Sequence, residues 1–275
     1  MVKRVIVPFN LHSMSKPILH ILSFLIALSI IPSSCYLNPQ RESDTSEAGL
    51  KGKVKYVKLN ESYTEEYNKD GYLIKYIYPC NDYDEYKYDW HGYLKEMTSA
   101  HLPDYKITCD NTYDNEGRIV HIVGYENNDG DKTVIYETFF TYDGQGNLAT
   151  KEKNCPKDSL KTIFRYSYDN KNRKFEINAF ISDKDTESNI VEKYDTLGNV
   201  LELNFNDTIN TIKKIIYFYD SLGFVSEKRF FDTKDNIIEK EIFRCDKHGN
   251  WLERQRVDNG GNVLEKETRE IEYFD

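Results

Sequence analysis

A chain of 275 residues with 30% charged side chains and a mean hydropathy of −0.70 has the polarity of a disordered polymer, but its 22 Tyr and 14 Phe exclude that reading. Such a chain folds by burying aromatic rings rather than Leu and Val. The first 34 residues hold three bases (Lys3, Arg4 and Lys16) and no acid, so 37 Lys and Arg fall to 34 against 46 acids, a net −12 that leaves no basic footprint for nucleic acid and makes an acidic polymer a poor partner.

The chain opens on a leader. From Ile18 to Ile31 it reads ILHILSFLIALSII, an apolar run interrupted by His20, Ser23 and Ser29, with Lys16 before it and PSSC after it. The run is shorter than the roughly 20 apolar residues a membrane-spanning helix needs, and no basic cluster follows it, so residues 1–34 are expected to be a cleaved signal peptide. Met14 begins a tighter leader of the same kind and is a second candidate for the true start. Ser33 and Ser34 directly before Cys35 resemble a lipobox, where the cysteine becomes N-terminal and takes a lipid. Pro32 stands where that pattern usually has Leu, which leaves ordinary secretion with cleavage near Ser34, or an uncleaved anchor, as the alternatives. The stretch from Tyr36 to Leu50 is polar and lacks periodicity. Residues 35–55 are therefore expected to be the lipidated cysteine and a flexible tether, and residues 56–275 a single β domain.

That domain repeats. Tyr, Asp or Asn, two free positions, Gly, one free position and an apolar residue recur with first positions 67, 88, 113, 142, 194 and 219, and in imperfect copies at 168, where Asn172 replaces Gly and Lys174 ends the motif, and at 245, where Cys replaces Tyr, mostly about 26 residues apart. Asp89, Asp114, Asp143, Asp195, Asp220 and Asp246 suit the first position of a type I turn, where the carboxylate accepts from the backbone N–H two residues on. Gly92, Gly117, Gly146, Gly198, Gly223 and Gly249 then supply the positive φ of a glycine bulge. Where Gly is missing, Asn172 and Asp235 stand in its place, residue types that tolerate the left-handed region. Weaker turns begin at Phe231 and Val257, each 12 residues after a full motif, so the unit is one strand and one turn, with turns alternating between opposite ends of the sheet. The stretches between, such as FVSEKRFF and IIEKEIFRC, predict long antiparallel strands with one solvated and one aromatic face. The expected fold is all-β, an extended antiparallel meander in a curled or partly closed sheet, its edges protected by Lys and Glu.

From YNKDGYL at Tyr67 through YDNEGRI, YDGQGNL and YDTLGNV to YDSLGFV at Tyr219, these motifs resemble the YD repeats of the Rhs and teneurin families, over roughly residues 60–275. In those families YD hairpins form one long sheet that spirals into a hollow shell, in bacteria often around a toxin domain, and the resemblance implies a scaffold or binding role. The chain also looks like the short, repeat-only lipoproteins of Gram-negative bacteria.

Candidate chemistry is sparse. After Cys35 come Cys80, Cys109, Cys155 and Cys245, which could form two disulfides in an oxidising compartment or stay free as apolar fillers. Cys80 with Cys109, flanking one period, is the preferred pair. His91 and His248 precede turn glycines, where a solvated position is expected. The segment NDYDEYKYDW, residues 81–90, sets Tyr83, Tyr86, Tyr88 and Trp90 among Asp82, Asp84, Glu85 and Asp89, the best candidate for stacking on a sugar ring. Its plainer reading is one strand alternating a tyrosine face with an acidic one. NNDGD, residues 127–131, lacks the glycine register of an EF-hand loop and reads as a turn. No motif implies a metal, a cofactor, a phosphate loop or a catalytic residue.

The leading expectation is a non-enzymatic lipoprotein of the cell envelope, on the outer membrane, binding a glycan or an envelope protein. A carbohydrate-binding accessory of a surface uptake system is the second reading. A glycoside hydrolase, needing two carboxylates about 5–10 Å apart, is the third.

Overall fold

Each Tyr-Asp motif closes a hairpin by local chemistry. At Asp195 the backbone N–H donates to Asn199 O (2.9 Å), Gly198 N donates back to Asp195 O (3.3 Å), and Asp195 Oδ1 accepts from both Leu197 N and Asn199 N at 2.8 Å. Gly198 sits at φ +95°, and the glycine-free turns put Asn172 at +62° and Asp235 at +60°. The strand register shifts by one residue just before the first motif residue, as between Lys193 and Tyr194, which is the bulge the turn chemistry predicts. The weaker turns at Asp232 and Asp258 close in the same way, Asp232 N donating to Asn236 O and Asp258 N to Asn262 O.

The structure, a computed structural model, describes residues 41–60, 62–128, 130–182, 186–206 and 211–275. The leader, Cys35 and the start at Met14 lie outside the described residues. A one-turn helix α1 (Asp44–Glu47) precedes β1 (Val54–Leu59), β2 (Tyr63–Tyr67), β3 (Leu73–Ile77), β4 (Tyr83–Tyr88), β5 (Leu94–Ser99) and β6 (Lys106–Tyr113). Next come β7 (Ile119–Asn128), β8 (Asp131–Tyr142), β9 (Leu148–Cys155), β10 (Leu160–Tyr168), β11 (Lys174–Ile181) and β12 (Thr186–Tyr194). The last six are β13 (Val200–Phe205), β14 (Lys214–Tyr219), β15 (Val225–Phe231), β16 (Ile237–Cys245), β17 (Trp251–Asp258) and β18 (Val263–Tyr273).

Every strand pairs antiparallel with its neighbours in sequence, and β1 also pairs with β18, from Val54↔Tyr273 to Leu59↔Arg269. The meander is therefore a closed 18-stranded barrel. Closure removes the edges that Lys and Glu were expected to protect. The Tyr-Asp turns all lie at one end, the motif end, where β1 also begins. Two apolar clusters fill part of the interior: Ile177, Ile190, Leu203, Phe205, Ile215, Tyr217 and Phe230 between β11 and β15, and Leu50, Val54, Val57 and Tyr67 at the seam.

The barrel gives the motif tyrosine a role that its spacing alone did not reveal. On the side away from each motif turn, strand pairing stops two residues short of the turn: β13 pairs with β14 only as far as Glu202↔Ile216, leaving the Val200 carbonyl without a ladder partner. The Tyr219 hydroxyl donates to that carbonyl at 2.6 Å. Tyr142 and Tyr168 do the same for Ile119 and Leu148, and Tyr88 and Tyr194 reach Leu73 O and Lys174 O with a single proton shared with the Asp44 and Glu192 carboxylates, at 2.5–3.0 Å from the carbonyls. The three remaining carbonyls find substitutes: Asn111 Nδ2 reaches Leu94 O (3.1 Å), the Cys245 thiol lies 3.6 Å from Val225 O, and Arg269 Nε reaches Trp251 O (3.1 Å). A buried carbonyl must be paired, and the tyrosine is long enough to span the gap from inside the barrel.

Candidate functional site in the barrel lumen

Residues 41–50 are not a tether. They fold into a strap across the motif end, with Thr45 and Leu50 buried. Ser43 caps α1 by accepting from Ser46 N, and Thr45 N donates to Gly71 O (3.0 Å). Gly71 admits this approach because a Cβ there would lie 2.3 Å from Thr45 Oγ1. The Asp44 carboxylate accepts from Leu73 N (2.7 Å) and the Tyr88 hydroxyl (2.9 Å). Arg41 ties the strap together, bonding Glu47 through Nε and Nη2, Gly92 O through Nη1, and pairing with Asp44. A polar composition without periodicity suggested flexibility, but the bonds that fix this segment are tertiary.

Beneath the strap lies a cavity of about 670 Å³, lined from the strap by Arg41, Glu42, Asp44 and Glu47 and from β4, β8, β10 and the turns by tyrosines. Tyr86, Tyr88, Tyr93, Tyr136, Tyr142, Tyr166 and Tyr168 face it, together with Lys151, Lys153 and Lys174. Burial pushes the Tyr142 and Tyr168 hydroxyls up to about 12, so the ring of phenols remains a ring of donors. Glu42 Oε2 is buried without a partner among the described residues. Burial, then repulsion from Glu47, lifts the Glu42 carboxyl to about 7 against the pull of Lys174. Deeper on the wall Glu192 is raised to about 7 by burial, opposed by the Tyr194 hydroxyl bonded to Oε2 and by Lys174.

Elsewhere the lumen is ionic. Glu241 lies 3.8 Å from Lys228 Nζ and 3.3 Å from Arg254 Nη1, and Arg254 also pairs with Glu267. The outer wall is charged as well: Lys55–Glu272 (2.7 Å), Lys87–Glu96 (2.8 Å), Lys161–Glu152 (2.8 Å) and Lys193–Glu202 (2.6 Å) bridge neighbouring strands around the circumference. A membrane-embedded barrel turns an apolar band outward, and a Lys or Arg at mid-bilayer costs about 2–4 kcal/mol. This wall is built to face water.

The predicted sugar-stacking segment is split by strand alternation. Tyr86 and Tyr88 line the cavity, whereas Tyr83 lies outside under Lys75 Nζ (3.6 Å) and Trp90 is 72% exposed in its turn. Asp84 points inward and accepts from the Tyr78 hydroxyl (2.7 Å). The four side chains therefore form no common surface. His91 is not solvated: it is 2% exposed, its ring 3.3 Å from that of Trp90 and 4.0 Å from that of Tyr113, because the strap covers this end. The disulfide expectation is also corrected, since Cys80, Cys109, Cys155 and Cys245 are all free. Cys80 is exposed in the turn between β3 and β4, whereas Cys109 is buried in β6 beside the Tyr136 hydroxyl (3.1 Å), so the pair occupies different environments. The lumen lysines went unread in the sequence. Lys174 was the available signal, a charge at the motif position elsewhere held by Leu, Ile, Val or Trp.

Fold and site together define a closed, water-facing β-barrel with a tyrosine-lined internal cavity. No protein-family model matches the chain. No curated protein matches it either. Among solved structures it is similar to TcdB2-TccC3-Cdc42, with a TM-score of 0.42 and 15% identity over 74% of this chain and 12% of that one. It is also similar to a porin-like protein from Bacteroides uniformis (TM-score 0.43, 12% identity, 81% of this chain and 99% of that one). A porin-like protein from Bacteroides vulgatus gives a TM-score of 0.37 and 13% identity over 80% and 98% of the two chains. The chain thus spans about an eighth of the TcdB2-TccC3-Cdc42 chain it matches.

Proposed function

We propose that this chain is a non-enzymatic binding module of the cell envelope, a closed YD-repeat barrel held to the outer membrane by a lipid on Cys35, which uses its lumen rather than its wall to take a ligand. The observation that carries the reading is the strap-covered cavity of about 670 Å³, within the 300–1,000 Å³ range of small-molecule sites. The apolar leader ending at Ser33, Ser34 and Cys35 supports the location. Only five residues separate Cys35 from Arg41, a reach of roughly 20 Å at full extension, so a lipid there would turn the strap and the motif end toward the membrane. A binding role is favoured over hydrolysis because Asp44 and Glu47 are both engaged by Arg41, leaving Glu42 without a second uncommitted carboxylate from the strap.

Pull-downs from envelope extract and glycan arrays with the mature protein test this: retention without turnover is expected, and turnover of a substrate would refute it. Mass spectrometry of the mature N-terminus is expected to find a lipidated Cys35, and an unmodified terminus elsewhere would overturn the anchor.

A further inference from the structure

Three features of the cavity point to the chemistry of its occupant. The first is unpaired positive charge. Lys151 and Lys153 lie two residues apart on the inward face of β9 and both line the cavity. Lys151 is flanked across the sheet by Phe140 and Phe164, and Lys153 by Thr138 and Thr162, so no acid stands opposite either lysine. Neither ammonium has an ion-pair partner among the described residues, although Lys153 lies over the Tyr136 ring at 4.6 Å. The acids of the strap are engaged by other groups, Asp44 and Glu47 bonding Arg41 and Glu42 interacting with Lys174, and Glu47 reaches Lys151 only through its field. Burial depresses the Lys151 ammonium, with Glu47 opposing and Lys153 and Arg41 adding to the shift. Two like charges so placed attract an anion.

The second feature is a set of unused hydroxyls. Tyr88, Tyr142 and Tyr168 spend theirs on backbone carbonyls and Tyr136 pairs with Cys109. Tyr86, Tyr93 and Tyr166 line the same cavity and have no hydrogen-bond partner among the described residues. Polar groups turned into a cavity are completed by water or by a ligand, and a polyol offers both donors and acceptors to them. The third is position. A net −12 on the mature chain repels anionic polymers, but Lys151 and Lys153 face the lumen rather than the outer wall, Lys151 half-buried and Lys153 exposed within it, so a small anion that enters meets their field first.

We propose that the lumen binds a small anionic sugar, one or two rings in size, its acid group between Lys151 and Lys153 and its hydroxyls on Tyr86, Tyr93 and Tyr166. The inference rests on the binding-module reading and adds the sign of the ligand's charge and its class. Isothermal titration of the mature protein with glucuronate and with glucose tests it. Glucuronate is expected to bind at least tenfold more tightly than glucose. The double variant Lys151→Gln, Lys153→Gln is expected to lose that preference, and Lys151→Arg, Lys153→Arg to keep it. Should the double Gln variant fail to fold, single Lys151→Gln carries the same expectation of a several-fold loss for glucuronate and none for glucose. Equal binding of the two sugars, or a preference that survives the Gln substitutions, overturns the inference. If neither sugar binds while the envelope pull-down retains a partner, this inference falls and the binding-module reading stands. If neither binds and the pull-down is empty, both fall.

Discussion

Replacing Tyr219 by Phe removes one hydroxyl and leaves the ring in place. In the folded barrel that hydroxyl is the partner of the Val200 carbonyl at 2.6 Å, and cross-strand pairing ends at Glu202↔Ile216, so no neighbouring N–H replaces it. The loss combines a net hydrogen bond of about 1 kcal/mol with part of the desolvation cost of an unpaired buried carbonyl, giving about 1–3 kcal/mol. For a domain of this size that lowers the thermal midpoint by roughly 2–4 °C per kcal/mol. Tyr56→Phe is the control, because its hydroxyl donates to Glu270 at 2.7 Å on the exposed outer wall, where water takes over the bond. Urea denaturation of both variants, at unchanged m-value, separates the two cases. The double variant Tyr168→Phe, Tyr219→Phe is expected to be additive, since the two hydroxyls serve different carbonyls, Leu148 and Val200. If Tyr219→Phe costs no more than Tyr56→Phe, the tyrosines do not cap the ladder and the account of the repeat is wrong.

Other substitutions test other parts of the barrel. A carboxyl at about 7 in the folded chain and about 4.3 unfolded keeps its proton on folding, so Glu192 contributes stability that is complete below about pH 4 and lost as pH rises to about 7. The midpoint of the parent protein is expected to fall between pH 5 and pH 7.5, by up to about 3 kcal/mol from this group, and Glu192→Gln to flatten the fall; a steeper profile in the variant would contradict the assignment. Glu241→Ala strands Lys228 inside the lumen, while Arg254 keeps Glu267, and is expected to cost about 3–5 kcal/mol by denaturant titration, whereas a cost below about 1 would mean that water reaches Lys228. Gly198→Ala forces a Cβ into φ +95° with nothing within 4 Å of it, so calorimetry should read pure backbone strain of about 1–2 kcal/mol. Asn172→Gly, at φ +62°, is expected to stabilise slightly or leave the midpoint unchanged, and a loss comparable to that of Gly198→Ala would show that the Asn side chain, bonded to Asn147 at 2.6 Å, matters more than its backbone.

The turns were legible in the chain alone because their bonds run between residues at most four apart. Asp195 with Leu197, Gly198 and Asn199 needs no distant partner, and the exceptions at Asn172 and Asp235 obey the same backbone rule. Strand type, the alternation of turns between two ends and an aromatic inner face follow from the same period. Closure does not: β1 meets β18 only when eighteen strands curl far enough, a sum over the whole sheet. The site depends on that sum. Lys151, Glu152 and Lys153 are three consecutive charges with nothing local to tell them apart, yet the closed barrel turns both lysines onto the cavity and leaves Glu152 outside with Lys161. Tyr86 and Tyr83 part in the same way, and the strap acquires its structure from rim residues distant in sequence, Gly71, Leu73, Tyr88 and Gly92 among them. Backbone preference acts over a few residues and is written in the sequence, whereas inside and outside are properties of a surface that exists only once the barrel has closed.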